Sequence, residues 1–174
     1  SMARQTGARK VVTAAPATVL LGGAKRARRR GVPGRSCGSS TAAKRADAQA
    51  AYEAANAIMP TVMGGVNVVQ HAGGWMEGGL VADYAKLILD ADQLTMMQDV
   101  VNGIDVSENG QAMDALRETG PGKHFLGSSH TQANFESAFW RSELADNTTF
   151  EQWSSEGSVE SHERARARAV KMLD

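Results

Sequence analysis

The stretch Val66-Asn-Val-Val-Gln-His-Ala-Gly-Gly-Trp-Met-Glu-Gly-Gly79 decides how the rest of this chain is read. Val66 to Gln70 is a short, β-branched run suited to a buried strand, and His71 to Gly79 follows at once as a glycine-rich loop. A helix is expected from near Leu80. Leu80, Tyr84, Leu87, Ile88, Ala91, Leu94 and Met97 recur at spacings of three and four, which puts them on one face of a helix of about six turns, ended by Gly103.

Two weaker copies of this strand, loop and helix flank it. Upstream, Gly31-Val32-Pro33 is expected to enter a short strand, Arg35 to Arg45 reads as a Ser/Gly loop, and Asp47 caps a helix. Ala50, Ala54, Ala57 and Ile58 give that helix a small-residue face, and Pro60, Gly64 and Gly65 punctuate its end. Downstream, His124-Phe125-Leu126 reads as a minimal strand, Gly127 to His130 as a loop, and Thr131 as an N-cap before Phe135 and Phe139. An extra helix between the second and third copies is capped by Ser107, carries Ala112, Met113 and Leu116, and stops at Gly120-Pro121-Gly122. The tail, Ser158 to Asp174, reads as an amphipathic helix with Glu160 and Arg164 spaced for attraction and His162 facing solvent.

Repeated strand–loop–helix units imply an α/β fold of parallel strands with helical crossovers. If they belong to a β/α barrel, the loops after the strands share the rim on which barrel enzymes hold their chemistry. A closed barrel takes at least about 200 residues. With 174 residues, this chain is too short to close one.

The composition, 42% hydrophobic and 22% charged, is that of a globular protein. Its 19 basic and 19 acidic residues cancel, but unevenly. Ser1 to Arg45 holds 11 Lys/Arg and no acid, leaving an acidic body with 8 basic and 19 acidic residues. The densest block, Lys25-Arg26-Ala27-Arg28-Arg29-Arg30, has the composition of a transit peptide or a phosphate-neutralising arm. No aromatic residue precedes Tyr52 to stack on bases, so no nucleic-acid partner is expected. Pro16 interrupts the apolar run Val11 to Leu21, which argues against a secretory signal, and no run reaches the roughly 18 to 20 apolar residues of a membrane span. Cys37 is the only cysteine, so no internal disulfide can form and a reducing, cytoplasmic home fits.

Within the central loop, Trp75 offers a π face to a quaternary or tertiary ammonium and Glu77 the opposite charge, an arrangement worth roughly 1 to 2 kcal/mol when desolvated. The competing reading makes Trp75 a packed core residue and Glu77 a cap for the following helix. His71, His124 and His130 follow or open strands, where a barrel would converge them, but they show no HxH or HExxH spacing and no metal site is expected. Cys37 lies beside Arg35, which favours a thiolate, although no histidine is near it in sequence. Gly38 with its neighbouring serines has the makings of an anion-binding nest, at a spacing that matches neither phosphate-loop nor dinucleotide fingerprints.

Five separated strings, Asp47-Ala-Gln-Ala-Ala-Tyr52-Glu53, His71-Ala-Gly-Gly-Trp75-Met-Glu77-Gly-Gly-Leu80, Gly120-Pro-Gly-Lys-His124-Phe-Leu-Gly127, His130-Thr131 and Phe139-Trp140-Arg141, together resemble the trimethylamine methyltransferase superfamily. The resemblance covers Gly31 to Asp174 and corresponds to the family's C-terminal portion; residues 1–30 form a basic, divergent segment. Departures lie in and just after that segment, where Val12-Thr-Ala-Ala-Pro16 stands in place of a Gly-Thr-Pro-Glu-like segment and Gly34 in place of a bulkier residue after Pro33. The resemblance implies the C-terminal half of a TIM (β/α)8 barrel. It further implies a methyltransferase that moves a methyl group from a small methylated amine to the cobalt of a corrinoid (cobalamin) on a separate protein. Having only standard residues, the chain is more similar to the branch without pyrrolysine, which acts on glycine betaine. Carried over by position, His71 and Glu77 are the expected catalytic residues, Trp75 and His124 the substrate-binding ones, and His130 and Arg35 those that meet the corrinoid. The alternative is an inactive fragment serving as an oligomerising α/β module, since the unpaired edges of a half-barrel favour a homo-oligomer.

Overall fold

The computed structural model describes residues 14–174, with side chains from Pro16 onward. Arg4, Arg9, Lys10 and the divergent stretch before Ala14 lie outside the described residues. In chain order the elements are α1 (Ala14–Arg29), β1 (Arg35–Cys37), α2 (Ala48–Met63), β2 (Val68–Gln70), β3 (Trp75–Met76), β4 (Val81–Ala82), α3 (Tyr84–Asn102), α4 (Glu108–Gln111), α5 (Met113–Thr119), α6 (Ser129–Asn134), α7 (Phe150–Ser155) and α8 (Ser161–Leu173). They fall into two compact units. The first holds the described chain up to Met97 together with Ser142–Asp174, and the second is Gln98–Arg141.

The first unit contains the expected parallel crossover. β1 pairs in parallel with β2 in the register Arg35↔Val68, Ser36↔Val69 and Cys37↔Gln70, and α2 makes the connection. The first strand lies further along than Gly31-Val32-Pro33, because Pro33 has no N–H to give a ladder. The Asp47 side chain accepts the Ala50 N–H at 3.1 Å, capping α2 as read from the sequence. Ala50, Ala54 and Ile58 are buried on the helix face foreseen for them. Pro60 sits inside α2 rather than at its end, and Gly64 is the C-cap. The basic helix α1 packs against α2: Ala24 is buried, and a Cβ at Gly64 would come within 2.5 Å of the Ala24 Cβ. Pro16 is accommodated in the first turn of α1, where a missing N–H costs no helical bond.

Two expectations for the central unit need correction. The loop is not featureless, since Trp75–Met76 pairs antiparallel with Val81–Ala82. The helix starts at Tyr84 rather than Leu80, because Asp83 Oδ1 accepts the Lys86 N–H at 2.6 Å and opens it. Consequently the buried side is not the expected apolar stripe. Leu80 and Tyr84 are exposed, whereas Ala85, Lys86, Asp90 and Met97 are buried. Gly103, with φ +81°, follows the end of α3 as anticipated.

Ala85 forms a small core with Leu144 and Ala165, against which Ile88 and Leu89 pack. Arg164 does not pair with Glu160. Its guanidinium donates to Leu144 O at 2.7 Å and Val159 O at 2.6 Å and reaches Asp146 at 3.7 Å, while Glu160 and Glu163 close a capping box at the start of α8. His162 is half-buried rather than solvent-facing.

In the second unit, Ser107 accepts the Gly110 N–H at 3.1 Å and caps α4 as expected. The extra helix is broken in two at Ala112, which adopts φ +50°. His124-Phe125-Leu126 is not a strand. The four residues between Gly-Pro-Gly and Gly127 pair with no strand among the described residues, and Phe125 and Leu126 are exposed. Ser128, not Thr131, caps the following helix α6.

Candidate functional site

Of the expected site residues in the first unit, His71, Trp75 and Glu77 lie in the loop that leaves the C-terminal end of the β1–β2 ladder. His71 leaves β2 in the left-handed region at φ +53°, a conformation unusual for a residue with a Cβ. Its ring meets the Trp75 indole edge-on, with centroids 5.4 Å apart and planes at 89°. Glu77 is likewise left-handed at φ +51°. Trp75 and Glu77 are both half-buried, and His71 is exposed.

Cys37, which carries no expectation of a role in the sequence, belongs beside these residues. Its Sγ lies 3.9 Å from His71 Nδ1. The two residues are 34 positions apart, so only the register that pairs Cys37 with Gln70 brings them together. Arg35 opens β1 opposite Val68, at the other end of the ladder from His71.

Backbone and buried polar groups hold this rim in place. Gly38 lies so close to the second loop that a Cβ there would meet Ala72 Cα and Val69 Cγ1 at 2.9 Å each. Thr41 O accepts the Gly78 N–H at 2.7 Å, and Ala43 O accepts the Glu77 N–H at 3.0 Å. The first loop is itself tied to α2 by Glu53, which is 2% exposed. Its carboxylate accepts from Thr41 Oγ1 and Ala42 N at 2.6 Å each and from Gln49 Nε2 at 2.7 Å. Beneath the second loop, Asp90 Oδ2 takes the Gly74 N–H at 2.8 Å and Lys86 Nζ at 2.5 Å. Burial holds the Asp90 carboxyl above its ordinary value, against the opposing pull of its hydrogen bond and charge contact with Lys86 and of the Gly74 N–H.

The histidines of the second unit are placed within it. His130 Nε2 bonds to Asn109 O at 2.8 Å, so Nε2 carries the proton and Nδ1 is the acceptor in the neutral ring. His124 is exposed. A pocket of about 440 Å³ in the first unit, floored by Leu89 and Leu144 and rimmed by Asp47, Asp92 and Glu160, takes in none of the expected site residues. Among the described residues no group of three or more His, Cys, Asp or Glu side chains is arranged to hold a metal, and no helix is long and apolar enough to cross a membrane.

A parallel strand pair with loops gathered at its C-terminal end defines an α/β protein whose polar and aromatic side chains meet where such folds place ligands. The chain belongs to the trimethylamine methyltransferase (MTTB) family, which it matches over residues 1–174. It is 34% identical over 157 residues to a glycine betaine methyltransferase of Desulfitobacterium hafniense strain Y51, an alignment covering 90% of this chain and 33% of that protein. It is 29% identical to the trimethylamine methyltransferase MttB of D. hafniense strain DSM 10664 / DCB-2, covering 90% of this chain and 31% of that one. A similar protein, trimethylamine methyltransferase MttB of Methanosarcina thermophila, is 28% identical over 86% of this chain and 31% of its own length. The chain thus spans about a third of the length of these curated relatives.

Proposed function

We propose that this chain forms part of the substrate rim of a cytoplasmic methyltransferase that takes a methyl group from a small methylated amine of the glycine betaine or trimethylamine class. The observation that carries the reading is the edge-on His71–Trp75 contact at the end of a parallel strand pair, in a chain of this family. The fold belonging to this reading is a partial TIM barrel. Among the described residues neither β1 nor β2 has a second neighbouring strand, and parallel sheets ordinarily continue and are covered on both faces.

In this reading Trp75 faces the ammonium, Glu77 balances its charge, and His71 orients the indole. The methyl acceptor is the cobalt of a corrinoid carried by a separate protein. By their position in the family pattern, His130 and Arg35 are the residues for the corrinoid and His124, which is exposed, one for the substrate. As the C–N bond breaks, the nitrogen keeps the electron pair and loses its positive charge, so a rim that favours the ammonium holds the product amine less tightly.

The test is methyl transfer from glycine betaine or trimethylamine to cob(I)alamin, followed spectroscopically. Transfer is expected with one of the two, and Trp75→Leu is expected to weaken amine binding about 5- to 30-fold, the loss of a cation–π contact of roughly 1 to 2 kcal/mol. No transfer with either amine, alongside an active full-length relative, overturns the reading. A second reading, an inactive oligomerising module, is favoured by the open strand edges and by exposed Leu80, Tyr84 and Leu87. It predicts a homo-oligomer by light scattering together with no turnover.

A further inference from the structure

Two buried charges lie directly under the rim and are not used by the chemistry just described. Lys86 and Asp90 are 2% and 4% exposed, one turn apart on α3. A buried ion pair is seldom explained by stability alone, because removing both charges from water costs about as much as their attraction returns. What distinguishes this pair is the rest of its bonding. Lys86 Nζ also donates to Ser39 O at 3.1 Å, in the loop after β1. Asp90 Oδ2 also accepts the Gly74 N–H, in the loop after β2. Each ion therefore holds the backbone of a different loop, and the pair joins the two.

The glycines of the second loop make this reach possible. A Cβ at Gly73 would meet Leu87 Cδ1 at 3.0 Å and Asp90 Cβ at 3.3 Å, and one at Gly74 would meet Leu87 Cβ at 3.2 Å. The loop backbone rests on α3 with no room for a side chain between them. Ser39 follows Gly38, whose own backbone touches Ala72 across the gap. The Lys86–Asp90 link thus runs beside the place where the two loops meet, next to the Cys37–His71 contact.

We propose that Lys86 and Asp90 are positioning residues whose linked charges set the separation of the loops after β1 and β2, and with it the Cys37–His71–Trp75 geometry of the rim. This deepens the rim reading and rests on it.

The single thiol makes the separation measurable without any turnover. The rate at which Cys37 reacts with 5,5′-dithiobis(2-nitrobenzoate) is measured in the full chain, with and without His71→Gln. In the wild-type background His71→Gln is expected to change that rate about five-fold, because the imidazole 3.9 Å from Sγ governs access of the reagent to the sulfur. In Lys86→Met, and separately in Asp90→Asn should the first variant not fold, His71→Gln is expected to have no effect, since the two side chains have parted. Ala165→Gly, in α8 and outside both loops, serves as a destabilised variant that leaves Lys86 and Asp90 in place, and it should keep the full five-fold effect. If His71→Gln has the same effect in the Lys86 and Asp90 variants as in the wild type, has none in the wild type, or loses its effect in Ala165→Gly as well, the proposal is overturned. Absence of methyl transfer would leave these rates untouched, so failure of the rim reading and failure of the positioning role give different results.

Discussion

Glu53→Ala isolates the contact that fastens the first loop to α2. The substitution removes the acceptor for the Thr41 hydroxyl, the Ala42 N–H and the Gln49 amide. Gln49 can turn to water, but Thr41 is fully buried and Ala42 N is partly so. Each donor left without an acceptor costs about 1 to 3 kcal/mol, which places the loss near ~4 kcal/mol. With a urea m-value of about 2 kcal/mol per molar, the unfolding midpoint should fall by about 2 M. Glu53→Gln keeps one oxygen for Thr41 and Ala42 and should cost only about 1 kcal/mol. Because Thr41 O and Ala43 O hold the Gly78 and Glu77 amides, the alanine variant should also lose hydrogen-exchange protection at those two positions. The assays are urea unfolding by circular dichroism and amide exchange by NMR. An alanine variant with a wild-type midpoint, or with Glu77 and Gly78 as protected as before, refutes the view that Glu53 anchors the rim.

Two further outcomes follow from the same geometry. Burial raises the Asp90 carboxyl above its unfolded value, so the folded state holds its proton longer than the unfolded chain; stability from this group is complete below the unfolded value and is lost as pH rises through the folded one. Unfolding free energy measured from pH 3 upward should carry this declining component in the wild type and lack it in Asp90→Asn; identical profiles would remove it. Glu77→Gly relieves a left-handed conformation that costs a side-chain-bearing residue about 1 kcal/mol, partly offset by the entropy glycine adds to the unfolded chain. Stability should therefore hold or rise slightly while amine binding falls, and a clear drop in melting temperature would show that the Glu77 side chain is structural.

The parts of this fold legible in the sequence are those fixed by local chemistry. Asp47 announces the start of α2 through its own side chain, Ala50, Ala54 and Ile58 mark the buried face by periodicity, and Gly103 marks the end of α3 by its positive φ. Periodicity alone starts α3 too early, because Leu80 continues an apolar period that the chain does not use. Asp83, three residues before the amide it accepts, was the available signal. His124 to Leu126 has a strand's composition but no neighbour to pair with among the described residues. The loop with His71, Trp75 and Glu77 was legible as a unit because glycine, aromatic and acid are adjacent in sequence. Cys37 was not, since its partner arrives through a parallel register that a single strand does not encode.

Lys86 and Asp90 were the least legible, and the reason is general to this chain. An i,i+4 pair of opposite charge on a helix ordinarily reads as solvated surface. Here it is interior because there is little else to place there. Eight of the twelve buried apolar residues among those described are alanines, each burying little area. Ser39, Thr41, Glu53, Thr61, Lys86 and Asp90 are buried alongside them. With so thin an apolar core beneath the loops, apolar packing alone leaves their separation loosely specified, and directional bonds from buried charges specify it. For the proposed function, a rim that presents an aromatic face, an imidazole and a carboxylate gains more from such bonds than from additional methyl groups, because a hydrogen bond fixes direction where apolar contact does not.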